Sequence, residues 1–171
     1  SSAKTKLLEE MLSQRILVID GAMGTMIQHY NLCEDDFRGD LLKLHKTLMK
    51  GNNDILSLTR PEIIKEIHEQ YLEAGADIIE TNTFNANKLS QSDYGTEHLV
   101  YDINFNSAKL ARELVDKFTL ANPSCPRFVA GAIGPTNQSC SMPPDISNPG
   151  FRKVNFDIMR EAYYEQAKGL I

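Results

Sequence analysis

The chain predicts an α/β fold of parallel strand-helix units, forming the first half of an eight-stranded barrel of the TIM type. Three observations carry this reading. Residues 16–20 (ILVID) are an apolar run that ends abruptly at Asp20-Gly21, and continuous runs suit strands covered on both faces better than the alternating strands of a half-solvated hairpin. Apolar runs and helix-patterned segments alternate four times, without the glycine fingerprint of a dinucleotide fold. The last helical pattern is still running at Ile171, which favours half of a barrel, truncated at its carboxyl end, over a small open sheet.

The elements follow in order. Leu7, Leu8, Met11 and Leu12 lie at helical spacing among Lys and Glu over residues 4–14, an amphipathic helix expected to plug or cap a core. Strand 16–20 leads into the glycine turn, and residues 31–56 are polar and irregular. Residues 54–58 (DILSL) read as a second strand. Thr59 and Glu62 have capping-box spacing, Pro61 suits a first turn, and Ile63, Ile64, Ile67, Tyr71 and Leu72 share one face before Gly75 stops the helix. Residues 77–81 (DIIET) resume strand character, so a parallel pair is expected across residues 54–83. Leu99, Ile103, Leu110, Leu114 and Phe118 mark a long helix with a break expected near Asn104–Asn106, and residues 128–133 (FVAGAI) give a fourth strand. Residues 135–154 are rich in Pro, Ser and Asn without periodicity and read as a loop that could cover a site. Asn155 is an expected N-cap for a helix carrying Ile158, Met159, Ala162, Tyr163, Gln166, Ala167 and Leu170.

Composition bounds the partners. The 171 residues are 42% hydrophobic and 24% charged with a net charge of -5, an ordinary globular balance. The scattered basic residues exclude nucleic acid as the expected partner. No apolar stretch approaches the roughly 20 residues that span a bilayer, and the charged amino terminus is unlike a signal sequence, so a cytoplasmic location is expected. Cys33, Cys125 and Cys140 are too few and too dispersed for a disulfide framework or a zinc knuckle and read as free thiols. His29, His45, His68 and His98 share no metal-motif spacing and read as surface or packing residues, and Met11, Met23, Met26 and Met49 as core filler.

Chemistry is expected at the carboxyl ends of the strands. Those ends hold Asp20-Gly21, Ser57–Thr59, Glu80–Thr83, and Gly134 with Thr136 and Asn137. Asp20-Gly21 alone reads equally as a turn carboxylate bonding its own backbone. Gly24-Thr25 directly after it adds a turn whose backbone N–H groups can approach a ligand carboxylate at a helix start. Glu80, flanked by Ile78, Ile79 and Phe84, is expected to be buried and to need a partner, either an ion pair or a substrate. Thr81, Asn82 and Thr83 suit either an amino acid or sugar ligand or a hydrogen-bonded turn.

Four segments carry a resemblance: DGAMGT at 20–25, GNNDILSLTRPEII at 51–64, EAGADIIETNTF at 73–84 and FVAGAIGPTN at 128–137. Together they resemble the homocysteine-binding domain of the cobalamin-dependent methionine synthases, from about Arg15 onward. The resemblance implies a barrel that binds homocysteine and zinc. There the zinc-bound thiolate attacks methylcobalamin, which methyltetrahydrofolate recharges on a separate domain. A coordinated thiol is deprotonated near neutral pH, in keeping with that role. By motif, Asp20 and the backbone of Gly21, Ala22, Met23, Gly24 and Thr25 would meet the amino-acid end of homocysteine, with Glu80 beside it and Thr81, Asn82, Thr83 and Phe84 lining the other side. The family's zinc cysteines, including a Gly-Gly-Cys-Cys motif, have no counterpart here, so no catalytic residue or metal ligand is transferred. The expectation is a fragment inactive alone, partnered by cobalamin and folate domains. Alternatives are a homocysteine methyltransferase using S-methylmethionine or a similar sulfonium donor, a non-catalytic half barrel that self-associates through its open edges, and a sugar- or phosphate-processing barrel.

Overall fold

A computed structural model describes residues 3–143 and 145–171. Ser1 and Ser2 at the charged amino terminus and Pro144 in the expected loop 135–154 lie outside the described residues. The helices are α1 (Ala3–Gln14), α2 (Met23–Gln28), α3 (Glu34–Arg38), α4 (Leu56–Thr59), α5 (Pro61–Glu73), α6 (Lys88–Gln91), α7 (Val100–Ala121) and α8 (Phe156–Leu170). Two strands, β1 (Ile78–Glu80) and β2 (Phe128–Ala130), pair in parallel with Ile79 opposite Val129. On the other side of β1 the ILVID run adds a third parallel partner through the bridge Ile19 to Ile78.

Three parallel segments therefore stand where four strands were expected. Residues 54–58 are not a strand: a 3-10 turn at Asn53–Ile55 runs into α4. Ile55 and Leu56 are fully buried, but against the helical residues Ile63, Ile64 and Ile67. A short buried apolar run has no periodicity with which to distinguish strand from helix. The parallel partners of residues 78–80 are thus the Ile19 segment and β2, and the crossover to β2 runs through α7.

Other elements differ in detail. The capping box at Thr59 and Glu62 does not form. Arg60 occupies the N-cap without a side-chain cap, Pro61 takes the first helical position, Thr59 Oγ1 donates to the Ile55 carbonyl at 3.4 Å, and Glu62 pairs with Arg60 instead. Gly75 follows the end of α5 at φ 106°, where a side chain would be strained. Helix α7 is unbroken: the buried Asn104 donates its amide to the carbonyl of Val100 one turn back and to that of Ala86 beside the helix, each at 2.7 Å, so its side chain is satisfied without interrupting the helix. The irregular stretch contains α3, whose N-terminus the Asp36 side chain caps by accepting from Cys33 N–H at 2.9 Å. Helix α1 buries no residue, so it rides on the surface rather than plugging a core. The N-cap at Asn155 accepts from Ile158 N–H at 2.9 Å as the sequence implies.

Two apolar clusters flank the sheet. One gathers Ile27, Phe37, Met49, Ile55, Leu56 and Ile64 between the short helices and α5. The other packs Ile79 of β1 against Leu72, Ala111, Leu114 and Val115 of α5 and α7. Beneath them Asp77 joins the amino ends of all three parallel segments. Its carboxylate accepts from Arg15 at 2.6 and 2.9 Å and from Val18 N–H at 2.9 Å, its N–H donates to the Val18 carbonyl, and its carbonyl accepts from Phe128 N–H, both at 2.8 Å. These donors hold the Asp77 carboxyl below its ordinary range, the Arg15 guanidinium foremost.

A buried carboxylate that loses its partners, or leaves them unpaired, is costly. Asp77→Ala is expected to destabilise the fold by about 3 kcal/mol in urea unfolding, and Asp77→Asn by less, because an amide oxygen can still accept from Val18. Equal stability of Asp77→Ala and the parent would show that this junction contributes nothing.

Candidate functional site

At the opposite end of the same segments lies a cavity of about 510 Å³. Of the eleven residues that the resemblance places around a ligand, ten line it: Asp20, Gly21, Ala22, Met23 and Gly24 from the turn after the first segment, and Glu80, Thr81, Asn82, Thr83 and Phe84 around the end of β1; the other strand-end residues, Ser57, Leu58, Thr59, Gly134, Thr136 and Asn137, stand outside the lining. The eleventh is Thr25, exposed on α2 and outside the lining, because the helix already begins at Met23 and rotates Thr25 away. Asn53, Asp54, Asn85 and Ala132 complete the wall. Asp54 was hidden from sequence reasoning by the assignment of residues 54–58 to a strand. The signal the sequence offers is a carboxylate that opens the apolar run 54–58 directly after Asn52 and Asn53.

The threonine and asparagine side chains are committed to the strand ends. Ala132 N–H donates to Thr81 Oγ1 at 2.9 Å and Thr83 Oγ1 donates to the Ala132 carbonyl at 2.8 Å, so the 2.6 Å contact between the two hydroxyls runs from Thr81 to Thr83. Asn82 donates its amide to the Asn53 carbonyl at 2.8 Å and to Ser57 Oγ at 3.2 Å. Gln166 of α8 donates to the Thr83 carbonyl at 2.8 Å. These bonds form the hydrogen-bonded turn that the sequence left open, and they fix the wall rigidly. Gly134 donates its N–H to the Phe84 carbonyl at 3.1 Å, and a Cβ at Gly134 would overlap Phe84. This close approach sets Phe84 at the rim with 57% of its surface exposed.

The carboxyl groups differ from one another. Glu80 is exposed, not buried as its apolar neighbours suggested. Strand alternation turns Ile79 into the core and Glu80 away from it. Asp20 is the enclosed one, its side chain 2% exposed, with Oδ1 accepting from Glu80 N–H at 3.0 Å. Burial pushes its carboxyl up to about 6 against that hydrogen bond, with the charge of Glu80 adding to the rise. Asp54, 3% exposed, accepts from Asn85 N–H at 2.9 Å and is likewise pushed up to about 6 by burial. No Lys, Arg or His lines the cavity among the described residues.

A thiolate-activating zinc does not fit this lining. Its donors are carboxylates and amides without a thiol or imidazole, whereas a thiolate-activating zinc site uses nitrogen and sulfur ligands. Among the described residues no three His, Cys, Asp or Glu side chains gather to hold a metal ion. Cys33, Cys125 and Cys140 are unpaired and line no part of the cavity. No helix of the described residues is long and apolar enough to cross a membrane.

Parallel segments whose carboxyl ends surround one cavity define an α/β domain with its candidate site where such folds carry theirs. The sequence profile of the homocysteine S-methyltransferase family matches residues 17–171, and the chain belongs to that family. Its fold is similar to that of the homocysteine methyltransferase MmuM from Escherichia coli. The oxidized form gives a TM-score of 0.68 at 22% identity over 95% of this chain and 52% of that one. The metallated form gives 0.66 at 21% over the same shares, and the apo form 0.59 at 20% over 93% and 46%. The chain spans about half the length of these solved structures.

A carboxyl raised by burial contributes stability below its unfolded pKa and loses it as pH rises through the folded value. For Asp54 the window runs from 3.8 to about 6, equivalent to about 3 kcal/mol. Asp54→Asn is expected to gain stability above pH 6 relative to the parent and to show a flatter stability profile between pH 4 and 6 in chemical unfolding. An unaltered profile would mean that Asp54 is solvated.

Proposed function

We propose that this chain forms the amino-acid-binding wall of a homocysteine S-methyltransferase, which transfers a methyl group to the homocysteine thiol to give methionine. The observation that carries the reading is the charge of the cavity: three carboxyl groups, two of them desolvated, and no basic side chain. An incoming ammonium offsets the desolvation of Asp20 and meets the exposed Glu80. The first turn of α2 offers N–H groups without helical acceptors to the ligand carboxylate. The apolar surfaces of Met23, Phe84 and Ala132 suit the thiol-bearing chain. Thr81, Asn82 and Thr83 shape the pocket through their mutual bonds and leave the charged contacts to the carboxyls and the turn. Thr25 contributes at most through its backbone.

The role proposed for these residues is binding and orientation. Zinc, which the family resemblance implies as the thiol activator, has no fitting donors in this cavity, so no step is assigned to it here. For the methyl donor we favour methylcobalamin on the resemblance of residues 51–61 (GNNDILSLTRP) to the cobalamin-dependent enzymes. A sulfonium donor used without cobalamin is the second reading, since the homocysteine S-methyltransferase family match is compatible with either donor. Ile16, Val18 and Ile133 leave apolar surface exposed near the strands, which suits completion of a barrel by further strand-helix units, or by a second copy. The unpaired cysteines suit the cytoplasm.

Titration calorimetry with L-homocysteine tests the binding role. Asp20→Asn keeps an acceptor for Glu80 N–H but removes the charge, and is expected to weaken binding at least tenfold, about 1.4 kcal/mol, with the fold intact. Unchanged affinity would remove Asp20 from the ligand contacts. Methionine formation by the full-length enzyme, measured with methylcobalamin and then with S-methylmethionine, decides between the donors.

A further inference from the structure

Helix α5 places His68 under the turn after the first parallel segment. The ring is fully buried, and neither ring nitrogen has a hydrogen-bond partner among the described residues. Its Nδ1 lies 3.9 Å from Asp20 Oδ2, the carboxylate oxygen that Glu80 N–H leaves free. That separation is too long for a hydrogen bond and too short for a bridging water, since two bonds of about 2.8 Å through one water span about 4.6 Å. One turn further along α5, the Tyr71 hydroxyl lies 3.5 Å from where a Gly21 Cβ would stand, so the same helix face supports both residues of the Asp20-Gly21 turn.

Burial alone would leave two unsatisfied nitrogens at a cost that a packing residue need not incur. The geometry points to His68 as the positioning residue of Asp20: its Nδ1–H closes on Oδ2 and donates to it when Asp20 ionises, with or without ligand, fixing the carboxylate for an ammonium ligand. The ligand part of this statement rests on the reading of the cavity proposed above; the pairing itself does not. Burial holds the imidazole near pKa 4, so at neutral pH it is a neutral donor rather than a counter-ion. The neighbouring helix faces offer no competing charge. The buried positions of α7 are Val100, Ile103, Asn104, Ser107, Ala111, Leu114 and Val115, those of α4 are Leu56 and Ser57, that of α2 is Ile27, and none titrates. Glu80 is the other charged group acting on Asp20 and raises it. Tyr71 is the remaining ionisable group at the turn.

A donor to the charged form lowers a carboxyl pKa, so its removal raises it. The test is a carboxyl carbon NMR titration of Asp20 in the intact protein, with its wild-type midpoint at about 6. His68→Phe fills the space without a donor and is expected to move the midpoint up by about one pH unit. His68→Asn, whose amide nitrogen can stand near the Nδ1 position, is expected to restore most of it. An unmoved midpoint in His68→Phe, or equal shifts in both variants, overturns the assignment. Imidazole nitrogen shifts of the wild-type protein at pH 7.5 supply a readout that needs no variant: the Nδ1–H tautomer is expected, and the Nε2–H tautomer overturns it. Because the carboxyl titration is read without ligand, a shifted midpoint in a protein that fails to bind L-homocysteine supports the pairing and retires only the ligand reading.

Discussion

Asp77 is the constraint on which the arrangement depends. Strands of three residues provide too few ladder bonds to fix three parallel segments, and here one carboxylate and its own backbone group engage all three at their amino ends. Arg15 meets it in a bidentate fork, and Arg127 approaches to 3.6 Å while donating to the carbonyls of Gly75 and Ala76. Multiple charge-assisted bonds offset the desolvation that a lone buried carboxylate would suffer. With the lower ends joined, the register of Ile78 to Phe128 is fixed, and the upper ends must open around a common space.

The upper ends use the opposite strategy. Where Asp77 is surrounded by cations and N–H groups, Asp20 and Asp54 each accept a backbone N–H in a cavity lined by no basic side chain, and only the neutral His68 ring approaches Asp20 from beneath. Carboxyls held this way are stabilised as anions only when a cation arrives, so the cavity is electrostatically incomplete by itself. The hydroxyl circuit of Thr81, Thr83 and Ala132 keeps the wall from relaxing around them. Rigidity at the strand ends and unmet charge at the turn, both supplied by neighbouring residues of one short sheet, are what the proposed binding role requires.

Much of this was legible in the sequence because the signals were long or local. The apolar runs at 16–20, 77–81 and 128–133 are strand-like, although the last pairs only over Phe128–Ala130, and the 61–73 helix shows in its period and its Pro and Gly punctuation. The turn at Asp20 stood out as a carboxylate at the end of a buried run. Residues 54–58 misled because five residues cannot display a helical period, and that error hid Asp54. Glu80 misled because neighbours in sequence point to opposite faces of a strand, so flanking isoleucines say nothing of its burial. His68 looked like a packing residue because its partner, Asp20, lies 48 positions away in sequence and only the fold brings the two together.

The proposed binding role requires an ammonium ligand among the carboxyls at the strand ends. A crystal structure of the protein with L-homocysteine tests this most directly. The predicted result is the ligand in the cavity after the first segment and β1, with its ammonium within hydrogen-bond distance of Asp20 or Glu80 and its carboxylate on the Gly21–Gly24 backbone. Homocysteine bound elsewhere, or turned so that its carboxylate faces Asp20, would contradict it.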